Sequence, residues 1–164
     1  MTRVLLWRIA KETSKYPADD MNGGGAASAG GRWNLKTCPV VYASSSIALA
    51  CLETLAHIGT GIAARNRYLI EITVPPRVWK ARRILSLAEL SAQWSAEPPG
   101  SYSMVLGTEW AQEGATALLV VPSVLIPEET NVLINPNHRD AKKITARVVR
   151  QFVYDPRLAT GGAK

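Results

Sequence analysis

Three side chains on consecutive segments carry the most chemistry in this sequence. They are Arg32 in Gly30-Gly31-Arg32-Trp33-Asn34, Tyr42 in Pro39-Val40-Val41-Tyr42-Ala43-Ser44, and Glu53 in the helical pattern from Ile47 to Ile58. Glu53 is the only Asp, Glu, Lys or Arg of that pattern, set among Ile47, Leu49, Cys51, Leu52 and Leu55. A carboxylate in such company is costly to bury unless something pairs with it. Helical rotation puts it roughly opposite the stripe Ile47, Cys51, Leu55 and Ile58, with Leu49 and Ala56 flanking it. Glu53 therefore reads as lining a pocket, with Arg32 and Tyr42 brought to it from the preceding segments. Its bland alternative is an ion pair with Arg32 or Arg8. A guanidinium grips phosphate oxygens in a two-pronged fashion. Together the three groups suit an anionic, sugar-bearing ligand.

Taken singly, each residue has an ordinary explanation. An arginine beside glycines is usually a surface residue, and a tyrosine on an apolar strand is usually a core residue with a satisfied hydroxyl. Gly25 and Gly30 have the outer spacing of a phosphate loop, but Gly31-Arg32 stands where Lys-Ser/Thr is needed, and no GxGxxG opens a helix. His57 lies one helical turn after Glu53, yet no GxSxG elbow supports a hydrolase triad. It reads as a packed helix-end histidine that bonds terminal carbonyls. His138-Arg139-Asp140 matches a kinase triplet by coincidence. With 2 histidines in unrelated segments, no metal site is expected. Ser123, after a buried strand and Pro122, sits where a sheet presents ligand-binding groups, although turn chemistry explains it as well. Asn131 and Asn135-Pro136 read as turn residues, and Trp33 as packing the Arg32 loop onto the body.

The elements that must position these groups follow from periodicity and breakers. Val4 to Ala10 reads as a first strand, and Lys11 to Gly31 as a long loop rich in Gly, Ala, Asp and Asn. Val40 to Ala43 is a short buried strand, after which Ser44, Ser45 or Ser46 caps the helix. Gly59 and Gly61 end it. Arg67 to Val74 alternates as a half-buried strand stopped by Pro75-Pro76. Ile84 to Trp94 and Met104 to Gln112 are helical candidates separated by Pro98-Pro99-Gly100. Ala117 to Val121, Val132 to Ile134 and Ala146 to Tyr154 complete the strands. Strands interrupted by helices without regular alternation predict α+β around a mostly antiparallel sheet.

Composition sets the outer bounds. The chain has 164 residues, 47% of them apolar and 20% charged, which fits one domain and excludes general disorder. A net charge of +6 favours an anionic partner without choosing among nucleic acid, a dinucleotide and an acidic protein. Cys38 and Cys51 have neither metal-ligand nor redox spacing, so reduced thiols in the cytoplasm are expected. No run approaches the length of a membrane span or a signal-peptide core.

The ordered set Gly30 to Asn34, Pro39 to Ser44, Ile47 to His57 with Glu53, and Val121-Pro122-Ser123 resembles the RES domain. Asn135-Pro136-Asn137-His138 and Phe152 to Leu158 are similar to its C-terminal pattern. The resemblance spans residues 1–164 as a single domain and implies an ADP-ribosyltransferase-like fold, its central sheet flanked by helices. It implies a toxin of a bacterial type II toxin–antitoxin module. The partner would be an Xre-like antitoxin with a helix-turn-helix region, so that DNA is met only through the antitoxin. NAD would be the substrate, degraded with water or phosphate as acceptor, or used to ADP-ribosylate a protein. The matching positions are Arg32, Tyr42, Glu53 and Ser123, with Arg8 also fitting a family position.

Breaking the nicotinamide–ribose bond passes through an oxocarbenium-like state. On this resemblance Glu53 would stabilise that charge and hold ribose hydroxyls. Arg32 would clamp the diphosphate, Tyr42 would stack on nicotinamide or ribose, and Ser123 would orient the ribose or the carboxamide. No metal is needed, because nicotinamide leaves as a neutral group. A basic nucleic-acid-binding module is the weaker alternative, given scattered Lys/Arg and no helix-turn-helix signature.

Overall fold

The computed structural model describes residues 3–58 and 64–159. Gly59 and Gly61, the expected helix stops, lie outside the described residues. The chain forms β1 (Val4–Lys11), α1 (Gly24–Ala29), β2 (Val41–Ser44), α2 (Ile47–Ile58), β3 (Arg67–Val74) and α3 (Pro76–Lys80). It continues with β4 (Arg83–Ile84), α4 (Ser101–Glu113), β5 (Leu118–Pro122), β6 (Thr130–Ile134) and β7 (Thr145–Phe152).

All the strands join one 7-stranded sheet in the order β4-β5-β6-β2-β1-β3-β7. Every pairing is antiparallel except that of β4 with β5 at one edge, so the α+β class holds and the sheet is mixed. Strand alternation gives the sheet two faces. One carries Leu6, Ala10, Val41, Ala43, Ile70, Ile72, Val120 and Val132, the largest core cluster. The other carries Leu119, Val121 and Leu133 against Trp33, Trp94 and Trp110, and Ile9 and Leu69 against Ala50 of α2.

Local sequence explains most departures from expectation. The 11–31 segment is not wholly loop: its Gly-Gly-Ala-Ala-Ser-Ala run folds as α1, bounded by Gly23 and Gly30 at φ 70° and 74°. A side chain at Gly23 would also stand 2.7 Å from the Val40 backbone nitrogen. Pro75-Pro76 stops β3 but starts α3, where Pro76 takes a first-turn position that has no need of an N–H. The helix expected from Ile84 to Trp94 is absent. That stretch is the two-residue β4 followed by 3-10 turns at Leu87–Glu89 and Ala92–Ser95, each opened by a serine. The second helical candidate is longer than expected, beginning directly after Pro98-Pro99-Gly100.

The helix that carries Glu53 is rolled differently from its apolar stripe. Leu49 and Ala50 are buried, while Ile47 is 37% exposed. Leu49 and Glu53 are four residues apart, so the face that goes inward is the one bearing the carboxylate. Ser46 supplies the cap, its hydroxyl accepting from Leu49 N at 3.1 Å. His57 is exposed rather than packed.

Candidate active site

Glu53 is held by neutral donors, not by a cation. Its Oε1 accepts from Ser123 Oγ at 2.7 Å and from Asn131 Nδ2 at 2.6 Å. The Oδ1 of Asn131 accepts in turn from Ser44 Oγ at 2.7 Å. Residues of α2, β6 and the end of β5 thus meet at one carboxylate oxygen, and β2 joins them through Asn131. Oε2 has no hydrogen bond among the described residues, so one oxygen is fixed and the other is open. The ion pair with Arg32 or Arg8, the bland account of Glu53, does not form.

Asn131 is the residue of this candidate site that sequence reasoning missed. The sequence suggests a turn residue, but Asn131 lies within β6, directly opposite Ser44 of β2 and Val121 of β5. The available signal was its place beside Val132-Leu133-Ile134, since a polar residue in a buried strand needs a partner. Ser123 shows the turn chemistry expected of it. It is fully buried, its hydroxyl accepts from Leu125 N and Ile126 N at 3.1 Å each, and its single proton goes to Glu53. That leaves it no proton to offer a ligand while this bond stands.

A second network builds the Arg32 turn. Gly31 and Asn34 bridge each other, leaving Arg32 and Trp33 at the tip. The Tyr42 hydroxyl accepts from Trp33 N at 3.0 Å and donates to Asn34 Oδ1 at 2.7 Å. Asn34, wholly buried, donates from Nδ2 to the carbonyls of Ala26, Leu35 and Cys38. Burial pushes the Tyr42 phenol well up from its ordinary value, which keeps it protonated and able to donate. As expected, Trp33 packs the turn down, stacked on Trp94 with ring centroids 6.2 Å apart. Only a glycine fits at 107 of α4, because a Cβ there would lie 2.0 Å from the Trp33 carbonyl oxygen.

Arg32 reaches across to the segment before α4. Its Nη1 donates to the Trp94 and Ala96 carbonyls at 3.0 and 2.8 Å, and its Nη2 to Glu97 Oε2 at 2.8 Å.

The two networks share β2. Tyr42 and Ser44 are two residues apart on one face, roughly 7 Å along the strand, so the Arg32 turn and Glu53 are brought to the same side of the sheet. Arg8 is not. Trp7 pairs with Ser44, so Arg8 points with Leu6 and Ala10 to the opposite face. There its Nη1 donates to the Asp20 carbonyl at 3.0 Å, and burial lowers its pKa against the opposing pull of Asp20. Arg8 pins the loop after β1. A cleft of about 420 Å³ beside β7 and another of about 450 Å³ at the end of α4 include none of these residues. Among the described residues, no group of three His, Cys, Asp or Glu could hold a metal ion, and no helix is long and apolar enough to cross a membrane.

The RES domain matches residues 5–156. The chain belongs to the RES family. It is 53% identical to the Prs ADP-ribosylating toxin of Sphingobium sp. (strain YBL2), over 93% of this chain and 94% of that protein. It is 34% identical to Toxin Res of Yersinia enterocolitica serotype O:8 / biotype 1B, over 94% of this chain and 99% of that one. Its fold is similar to a chain in the crystal structure of the M. tuberculosis MbcT–MbcA toxin–antitoxin complex, with a TM-score of 0.66 at 16% identity, covering 96% of this chain and 87% of that one. By family and by relatives matched along nearly their whole length, this is a toxin of the RES family.

Proposed function

We propose that this RES toxin cleaves the nicotinamide–ribose bond of NAD on an ADP-ribosyltransferase-like fold and so depletes NAD in the cytoplasm. The observation that carries the reading is the Glu53 carboxylate, anchored through Oε1 by Ser123 and Asn131 with Oε2 open. Both donors are neutral, and among the described residues no cation pairs with the negative charge. Such a charge favours a sugar ring that becomes cationic as neutral nicotinamide departs. The open oxygen can accept from a ribose hydroxyl. Arg32 on its glycine-flanked turn supplies positive charge for the diphosphate, and the Tyr42 ring, partly exposed, offers a face to nicotinamide or ribose. Water or phosphate would take the ADP-ribose.

A second reading keeps the same bond cleavage but passes ADP-ribose to a protein side chain. It is favoured by the 53% identical relative, whose name states ADP-ribosylation of Prs. On either reading an antitoxin would bind and restrain the enzyme, a pairing of the kind named in the MbcT–MbcA toxin–antitoxin complex; an Xre-like protein with a helix-turn-helix region is the partner the family resemblance implies.

Incubation of the purified chain with NAD, with and without phosphate and cell lysate, separates these readings. Free nicotinamide without labelled protein supports degradation, and labelled protein supports transfer. Intact NAD in every mixture, from a folded chain, refutes both.

A further inference from the structure

Arg32 already has an anion. Its side chain is only 16% exposed and three of its five N–H donors are taken, two by main-chain carbonyls and one by Glu97. The carbonyls of Trp94 and Ala96 are fixed by the chain path and by the Trp33–Trp94 stack. Glu97 is different: its side chain is 75% exposed and, among the described residues, has no hydrogen bond other than the one to Arg32. One contact of Arg32 is therefore exchangeable and two are not.

We infer that Glu97 is an internal counter-ion that occupies the anion position of Arg32 and is displaced by the diphosphate of the bound dinucleotide. The inference rests on the NAD reading above and adds a residue that sets affinity. With Nη1 held by the carbonyls, the guanidinium keeps its orientation when Glu97 leaves. Nε–H and both Nη2–H donors are then free for phosphate oxygens, the two-pronged grip that a guanidinium supports. Glu97 thus opposes binding twice, by occupying a donor and by placing a negative charge beside the phosphates. An exposed ion pair is weak enough to be exchanged in this way.

The test is NAD binding by the full chain in a Glu53→Gln background, where turnover is slow. Glu97→Gln and Glu97→Ala are each expected to tighten the NAD dissociation constant about threefold, the scale of an exposed ion pair. Affinity for nicotinamide riboside, which lacks the diphosphate, should not change. NAD affinity that is unchanged or weaker in both variants, with thermal midpoints as in the parent, overturns the counter-ion role and leaves the NAD reading standing. Equal tightening of both ligands also overturns it, because the effect would not act through phosphate. Absence of any NAD binding by the folded parent refutes the dinucleotide reading and this inference together.

Discussion

Glu53 and Arg32 are each held by more than one hydrogen bond on the same side of the sheet, yet the two charges are treated in opposite ways. Around Glu53 every partner is neutral, and one oxygen is left without a bond among the described residues. Around Arg32 the donors go to carbonyls and to a carboxylate, so its charge is balanced within the chain. An uncompensated carboxylate acts most strongly where positive charge develops during a reaction. A balanced guanidinium acts on an anion able to displace its counter-ion. On the proposed NAD reading, this contrast would give bond cleavage to the α2–β6 side and ligand capture to the turn.

The largest effect that could break this division is expected at Glu53 itself. Glu53→Gln keeps the size of the side chain and removes its charge, and NAD cleavage should fall about a hundredfold or more. Near-normal turnover by a folded Glu53→Gln protein would remove the carboxylate from the mechanism.

A smaller loss is expected one step back. Asn131→Ala removes the 2.6 Å bond to Oε1, and kcat should drop about tenfold, the scale of a hydrogen bond to a charged group. KM for NAD should change little, because the residue acts through Glu53. Ser44→Ala should cost about threefold alone and nothing further when Asn131 is already alanine, since Ser44 reaches Glu53 only through Asn131. Simple addition of the two losses would show independent structural roles instead.

The smallest effect on turnover is expected from Tyr42→Phe, which sharpens the comparison from the other side. Its hydroxyl is committed to Trp33 N and Asn34 Oδ1, and losing it leaves two buried groups unpaired at a cost of about 1–3 kcal/mol in stability. Urea unfolding should register that loss, while kcat per folded molecule stays close to the parent value. A fall in kcat matching that of Asn131→Ala would place the hydroxyl in the chemistry and erase the division between the two networks.

The sequence by itself determined that Glu53 needed an explanation, because a single carboxylate in an apolar helix is a conflict visible without coordinates. It also determined the strand Arg67–Val74 and the helix Ile47–Ile58, where periodicity, proline and a serine cap act over a few residues. Tyr42 was legible both as a candidate ligand group and as a tyrosine with a satisfied hydroxyl. Only the tertiary structure chose the partners. Asn131 is 78 residues from Glu53 and Glu97 is 65 from Arg32, and no local pattern encodes a hydrogen bond across such a span. Strand parity separated Arg8 from the rest, since its face depends on how β1 registers with β2. The inward face of α2 was likewise set by packing: apolar residues surround that helix, so hydrophobicity alone could not fix its roll, whereas the bonds from Ser123 and Asn131 hold Glu53 turned toward β5 and β6.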